Sequence, residues 1–204
     1  MDNNAVPTKG NLIRAKNSLK LAKQGYELMD KKRNILIREL MGLVDQDKDI
    51  QAEIRTTFTT AYPSLQRSDM ELGINAVADV ARNVPIEDTV EVKTRSIMGT
   101  EIPLVRYDAA TRTPAYAFYS TKESLDIARV SFEKVKDLTI KLSAVENSAY
   151  QLAANIKKAQ KRANALKNIT IPRYEALTKD ISNALEEKER EEFTRLKVIK
   201  RMHS

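Results

Sequence analysis

The sequence predicts a mainly α protein: a long antiparallel two-helix coiled coil, kinked near Pro172, with a small α+β cap at its turning end. Three observations carry this reading. The six prolines leave two long proline-free tracts, 8–62 and 115–171, and each can be one helix, because an interior proline removes a ladder hydrogen bond and clashes with the preceding turn. Both tracts place apolar residues at alternating spacings of three and four, the signature of a seam between paired helices. The composition agrees: 31% of the 204 residues are charged and 5% aromatic, with no Trp and five Gly, as expected for a chain dominated by exposed helix.

The first helix is read over 8–60, with Thr8 or Asn11 as its N-cap. Its seam runs Leu12, Ala15, Leu19, Ala22, Tyr26, Met29, Arg33, Leu36, Leu40, Leu43, Asp47, Ile50 and Ile54. Only Arg33 and Asp47 interrupt it. Polar residues at such positions fix register or face a third protein.

Residues 61–119 are read as the cap. Ser68-Asp69-Met70-Glu71 has the spacing of a capping box opening a short helix over 68–82, which Pro85 stops. Two strands follow within about 89–106, Thr89 to Ser96 and Glu101 to Arg106, around Met98-Gly99-Thr100. Pro103 confines its strand to an edge.

The second long helix is read over 120–200, opened by a capping box at Ser120-Thr121-Lys122-Glu123. Its seam is Leu125, Ala128, Phe132, Val135, Leu138, Leu142, Val145, Ala149, Leu152, Ile156, Ala159, Ala163 and Leu166, all apolar. The pattern resumes after Pro172 with Leu177, Ile181 and Ala184, so that proline reads as a kink in a continuing helix. A seam this narrow cannot be left in water, and the other helix of the same chain is the nearest partner.

Charge sets the orientation. Between Lys9 and Arg38 nine basic residues stand against Glu27 and Asp30, whereas between Glu175 and Glu192 seven acids stand against Lys179, Lys188 and Arg190. Opposed signs favour the antiparallel arrangement, with both termini at one end. Less balanced are Lys157, Lys158, Lys161, Arg162 and Lys167, and the group Arg195, Lys197, Lys200 and Arg201. Such blocks read as solvated helix faces, as a surface for an acidic partner or, more weakly, as a nucleic-acid contact, since aromatics are not interleaved with them.

Catalytic chemistry finds little to work with. There is no Cys, and the single His203 is next to last, so thiolate, disulfide and zinc chemistry lack their residues. Thr8-Lys9-Gly10-Asn11 lacks the spacing of a phosphate loop. Asp45, Asp47 and Asp49 lie in a helix, where they cannot converge as in a turning calcium loop. No catalytic, metal or cofactor site is expected. No apolar run approaches the roughly 20 residues of a membrane span, and Met1 to Gly10 has no signal-peptide core, so the chain reads as cytoplasmic.

Two stretches carry a specific resemblance. Pro7-Thr8-Lys9-Gly10-Asn11-Leu12, continuing to Gly25-Tyr26-Glu27-Leu28-Met29-Asp30-Lys31-Lys32-Arg33, resembles the start of the D subunits of V-type and A-type rotary ATPases. Arg162-Ala163-Asn164-Ala165-Leu166, Ile171-Pro172-Arg173 and Glu189-Arg190-Glu191-Glu192-Phe193-Thr194-Arg195-Leu196-Lys197 are similar to that family's second signature. Lys161, Ala163 and Lys167 depart from it, standing where the pattern has Arg, Val and Glu. The resemblance implies a non-catalytic central rotor shaft of bacterial or archaeal type. It would turn inside a ring of A and B subunits, bind the small F subunit of the stalk, rest on the funnel-like C subunit, and meet the membrane only through the complex, on its cytoplasmic face. The implied interface with the ring comprises Pro7, Thr8, Lys9, Arg14, Lys32, Arg33, Lys161, Arg162, Arg173, Arg195, Lys197, Lys200 and Arg201. A coiled-coil scaffold unrelated to ATPases and a basic nucleic-acid-binding coiled coil are the alternative readings, and the ATPase reading includes no nucleic-acid partner.

Overall fold

The computed structural model describes residues 6–86, 88–107, 114 and 116–202; His203 and the part of the expected cap over 108–113 lie outside them. Helix α1 (Lys9–Leu72) is followed by α2 (Ile74–Arg82), strands β1 (Glu91–Ile97) and β2 (Thr100–Arg106), a 3₁₀ turn (Phe118–Ser120), α3 (Glu123–Ala165), a π turn (Leu166–Thr170) and α4 (Ile171–Met202). The chain divides into two compact units, one formed by the residues up to Ile35 with those from Ile156 onward, the other by Leu36–Asn155.

In the first unit α1 opens on Thr8, whose Oγ1 accepts the Asn11 amide at 3.2 Å. Thr8, and not Asn11, is therefore the cap; the Asn11 side chain donates instead to the Val6 carbonyl at 2.8 Å. The pairing is antiparallel. Lys9 Nζ meets Glu189 Oε1 at 3.0 Å, Lys23 Nζ meets Glu175 Oε1 at 2.7 Å, and Arg33 Nη1 donates to Gln160 Oε1 at 2.8 Å. The buried seam of this unit is mostly alanine, with Ala15, Ala22, Ala159, Ala163 and Ile181; small side chains let the helices approach closely.

Pro172 does not leave the helix. The turn before it widens, so that the Ile171 amide reaches back to the Leu166 carbonyl, while Ala165 and Ile171 both keep right-handed helical dihedrals. A wide turn is the local answer to a residue that brings no N–H and whose ring crowds the turn behind it.

The second unit is thicker. Leu36, Ala61, Leu125, Ala128, Val135, Leu138 and Leu152 are buried between α1 and α3, with Val77 of α2 and Ile102 of β2 added from the sides. Tyr62 stacks on Phe58 and meets Phe132 edge-on. Glu53 pairs with Lys134 at 2.8 Å, and Ser124 Oγ donates to Glu71 Oε2 at 2.8 Å, so here too the helices run antiparallel. The hairpin turns through Met98 (φ 49°) and Gly99 (φ 73°), pairing Ile97 with Thr100. Thr100 is thus the first strand residue and not part of the turn, because two consecutive left-handed residues already reverse the chain. Only β2 packs inward; β1 is exposed except at Ile97.

Three helix boundaries differ from the sequence reading. Helix α1 does not stop near residue 60 but passes through Pro63 to Leu72. Pro63 is solvent-exposed, and the seam continues beneath it through Ala61, Leu65 and Ser68, so packing outweighs a local cost of about 3 kcal/mol. Ser68 consequently caps nothing: it is buried mid-helix and donates to the Ser64 carbonyl. Gly73 (φ 91°) ends α1, and the short helix begins at Ile74. Likewise Ser120 lies in the 3₁₀ turn and its hydroxyl donates back to the Ala117 carbonyl, so α3 opens at Glu123 instead of 120.

Candidate interaction surface

All thirteen expected interface residues fall in the first unit. Their environments differ. Thr8 is occupied as the cap, and Lys9 is paired with Glu189, whose hydrogen bond and charge raise the Lys9 pKa. Arg33 is held between Asp30 at 2.7 Å, Gln160 at 2.8 Å and Asn34 at 3.0 Å, and only about a quarter of its side chain is accessible. This is a register lock inside the seam, which leaves Arg33 little to offer an outside surface. Arg14, Lys161, Arg162, Arg173, Lys197, Lys200 and Arg201 are exposed, Pro7 and Lys32 half-buried; Arg195 stands 3.9 Å from Glu191.

The ion pairs have a geometric consequence. Lys9, the first residue of α1, already lies opposite Glu189, yet α4 continues to Met202. Beyond Glu189, α4 therefore extends past the start of α1 by about 20 Å of helix. Every described residue from Glu186 onward is exposed, among them Phe193, Leu196, Val198, Ile199 and Met202. The overhang interleaves these apolar side chains with Arg195, Lys197, Lys200 and Arg201. Sequence reading found its charges and missed its apolar content; the signal was that the seam ends at Ala184 while apolar residues continue.

A second exposed stripe lies on α1 of the same unit. Leu21, Leu28 and Ile35 are 70%, 59% and 40% accessible and recur every seven residues, beginning one heptad after Arg14. Seven-residue spacing keeps them on one face. Together the overhang and the stripe present apolar surface bordered by cations, the character of a surface that is covered in an assembly.

The second unit holds two hollows. A groove of about 590 Å³ runs between the hairpin and α3, lined by Val92, Ile102, Pro103, Ile140 and Ala144, among others. A more apolar one of about 390 Å³ lies among Leu65, Val77, Val84, Leu125 and Phe132, with Arg129 and Glu133 beside it. Tyr116 at its edge donates to Asp126, and burial, then that hydrogen bond, pushes its hydroxyl pKa up. Among the described residues no helix is long and apolar enough to cross a membrane.

A family profile for the D subunit of ATP synthase matches residues 11–201. The D subunit of the V-type ATP synthase of Thermotoga neapolitana is 41% identical over 195 residues, covering 96% of each chain. The D subunit of the A-type ATP synthase of Thermococcus kodakarensis is 36% identical over 200 residues, with 97% of this chain and 94% of that protein covered. The corresponding Pyrococcus horikoshii protein is 36% identical over 197 residues, covering 95% and 92%. With its paired helices, hairpin and near full-length similarity to these relatives, the chain belongs to the family of ATP synthase D subunits.

Proposed function

We propose that this chain is the central rotor shaft of a V- or A-type ATPase, carrying torque between nucleotide chemistry in the catalytic ring and ion movement in the membrane ring, with no catalysis of its own. The observation that carries the reading is the overhang of α4 beyond Glu189, a helix with exposed Phe193, Leu196 and Ile199 among four basic side chains. Lying beyond the start of α1, that segment is suited to turn inside a ring of A and B subunits. Apolar contacts would hold it there while charges distributed unevenly around the helix favour different ring states at different angles, as coupling requires. The F and C subunits are the remaining partners of this reading.

Reconstitution with the catalytic ring tests it. One copy per ring is expected. Reversing Arg195, Lys197, Lys200 and Arg201 to Glu should weaken coupled rotation several-fold while the free chain keeps its helical content. Unchanged ATP-driven rotation in that variant would overturn the assignment.

A further inference from the structure

The first unit contains a weak point whose parts come from both helices. The π turn at Leu166–Thr170 replaces an α turn, with the Ile171 amide bonded to Leu166 O and the Thr170 hydroxyl donating to Ala165 O at 3.3 Å. Pro172 follows and contributes no N–H, so the ladder loses a rung at the same place. Opposite stands Gly25 of α1, where an added Cβ would lie 3.6 Å from Leu166 Cδ1; glycine is among the poorest helix formers. Within this unit the seam is also thin here. No residue is fully buried on the α3–α4 side between Ala163 and Ile181, nor on α1 between Ala22 and Ile35. Across this stretch the exposed Lys167 rests over the half-buried Tyr26 ring at 5.9 Å. Ala15, Ala22 and Ile181 clamp one side of the gap, and Ala159 and Ala163 the other.

We propose that Leu166–Thr170 is a torsional joint, at which the arm Ile171–Met202 twists relative to the helix before it while the buried clamps on either side stay closed. Resistance of a helix to twist comes from its i→i+4 ladder and from the packing of its seam, and both are reduced together here. Wide turns of this kind tolerate a change in local winding without loss of the helix. Its value for a shaft rests on the rotor reading, because a shaft with a localised joint can store a fraction of a turn between steps; the joint itself is a property of the chain alone.

Hydrogen exchange on the full-length chain is the test. Amides from Lys167 to Tyr174 should exchange roughly tenfold faster than those of 157–164 and 176–183. Pro172→Ala restores the missing donor and should bring the segment to within about twofold of its flanks; Gly25→Ala, with room for its methyl, should slow it in part. Spin labels at exposed Lys158 and Lys179 should give a broad distance distribution that narrows in Pro172→Ala. Uniform protection across 157–183, or equal exchange and equal widths in the two proteins, would overturn the joint. Failure of the chain to bind a catalytic ring would count against the rotor reading and leave these exchange results standing.

Discussion

At the residue scale the seam carries two polar interruptions with opposite fates. Arg33 is satisfied by Asp30, Asn34 and Gln160. Asp47 is not: one carboxylate oxygen accepts from Gln51 at 3.0 Å, and the other is buried without a partner among the described residues. Since an unsatisfied buried acceptor costs about 1–3 kcal/mol, Asp47→Leu should raise the unfolding free energy by about 1–2 kcal/mol, read from urea denaturation. Thr8→Ala should do the reverse, losing about 1 kcal/mol with the cap. A carboxylate pair gives the acid response. The Glu71 pKa is lowered, first by the Arg67 hydrogen bond and then by that of Ser124, and the Glu53 pKa is lowered by Lys134. A depressed folded-state pKa contributes stability above the unfolded value, and that contribution disappears as pH falls through the folded one. Stability should therefore decline below the ordinary carboxylate range near pH ~4.3, and Glu71→Gln should be less stable at pH 7 with a shallower acid decline. A parallel acid decline in wild type and variant would contradict the assignment of that slope to Glu71.

At the scale of elements, Pro63 and Gly99 show local preference losing and winning. Helix α1 keeps Pro63 on its solvent side because Ala61 and Ser68 are fully buried around it. Nearby hydroxyls of Thr57, Ser64 and Ser68 donate back to carbonyls four residues earlier, a pattern that loosens and bends a helix. Pro63→Ala should accordingly raise stability by about 1–3 kcal/mol, visible as a higher thermal midpoint. At Gly99 the left-handed backbone is demanded by the turn and no packing replaces it. Gly99→Ala has open space for its methyl yet still pays for the dihedral, about 1–2 kcal/mol. Chemical shifts of β1 and β2 would show whether the hairpin is where that loss falls.

For the molecule as a whole, the residues that carry stability differ from those proposed to carry interaction. The buried side chains lie between Ala15 and Ile181, whereas the α4 overhang contributes exposed surface only. Truncation after Glu189 should leave the unfolding free energy within about 0.5 kcal/mol of the full chain and should abolish binding to a catalytic ring. A large loss of stability on truncation would mean that the overhang packs on the chain.

The pairing of two long helices was legible from residues alone, because every seam position in the first helix from Leu12 to Ile54 and in the second from Leu125 to Leu166 is buried or half-buried. Heptad spacing determines a helix face wherever apolar residues repeat often enough for burial to exceed any local preference. Antiparallel orientation was legible for a similar reason, through opposed charge blocks that became the Lys9–Glu189 and Lys23–Glu175 pairs. Tertiary structure decided what local signals misstate. Ser68 and Ser120 have capping spacing, but a cap forms only where a helix begins, and packing around Pro63 and the 3₁₀ turn at Phe118 moved both beginnings. It alone decided that Pro172 is absorbed by a wide turn, that Arg33 faces inward, and that α4 overhangs. Each depends on the register of one helix against the other, a relation between distant residues that no local spacing contains.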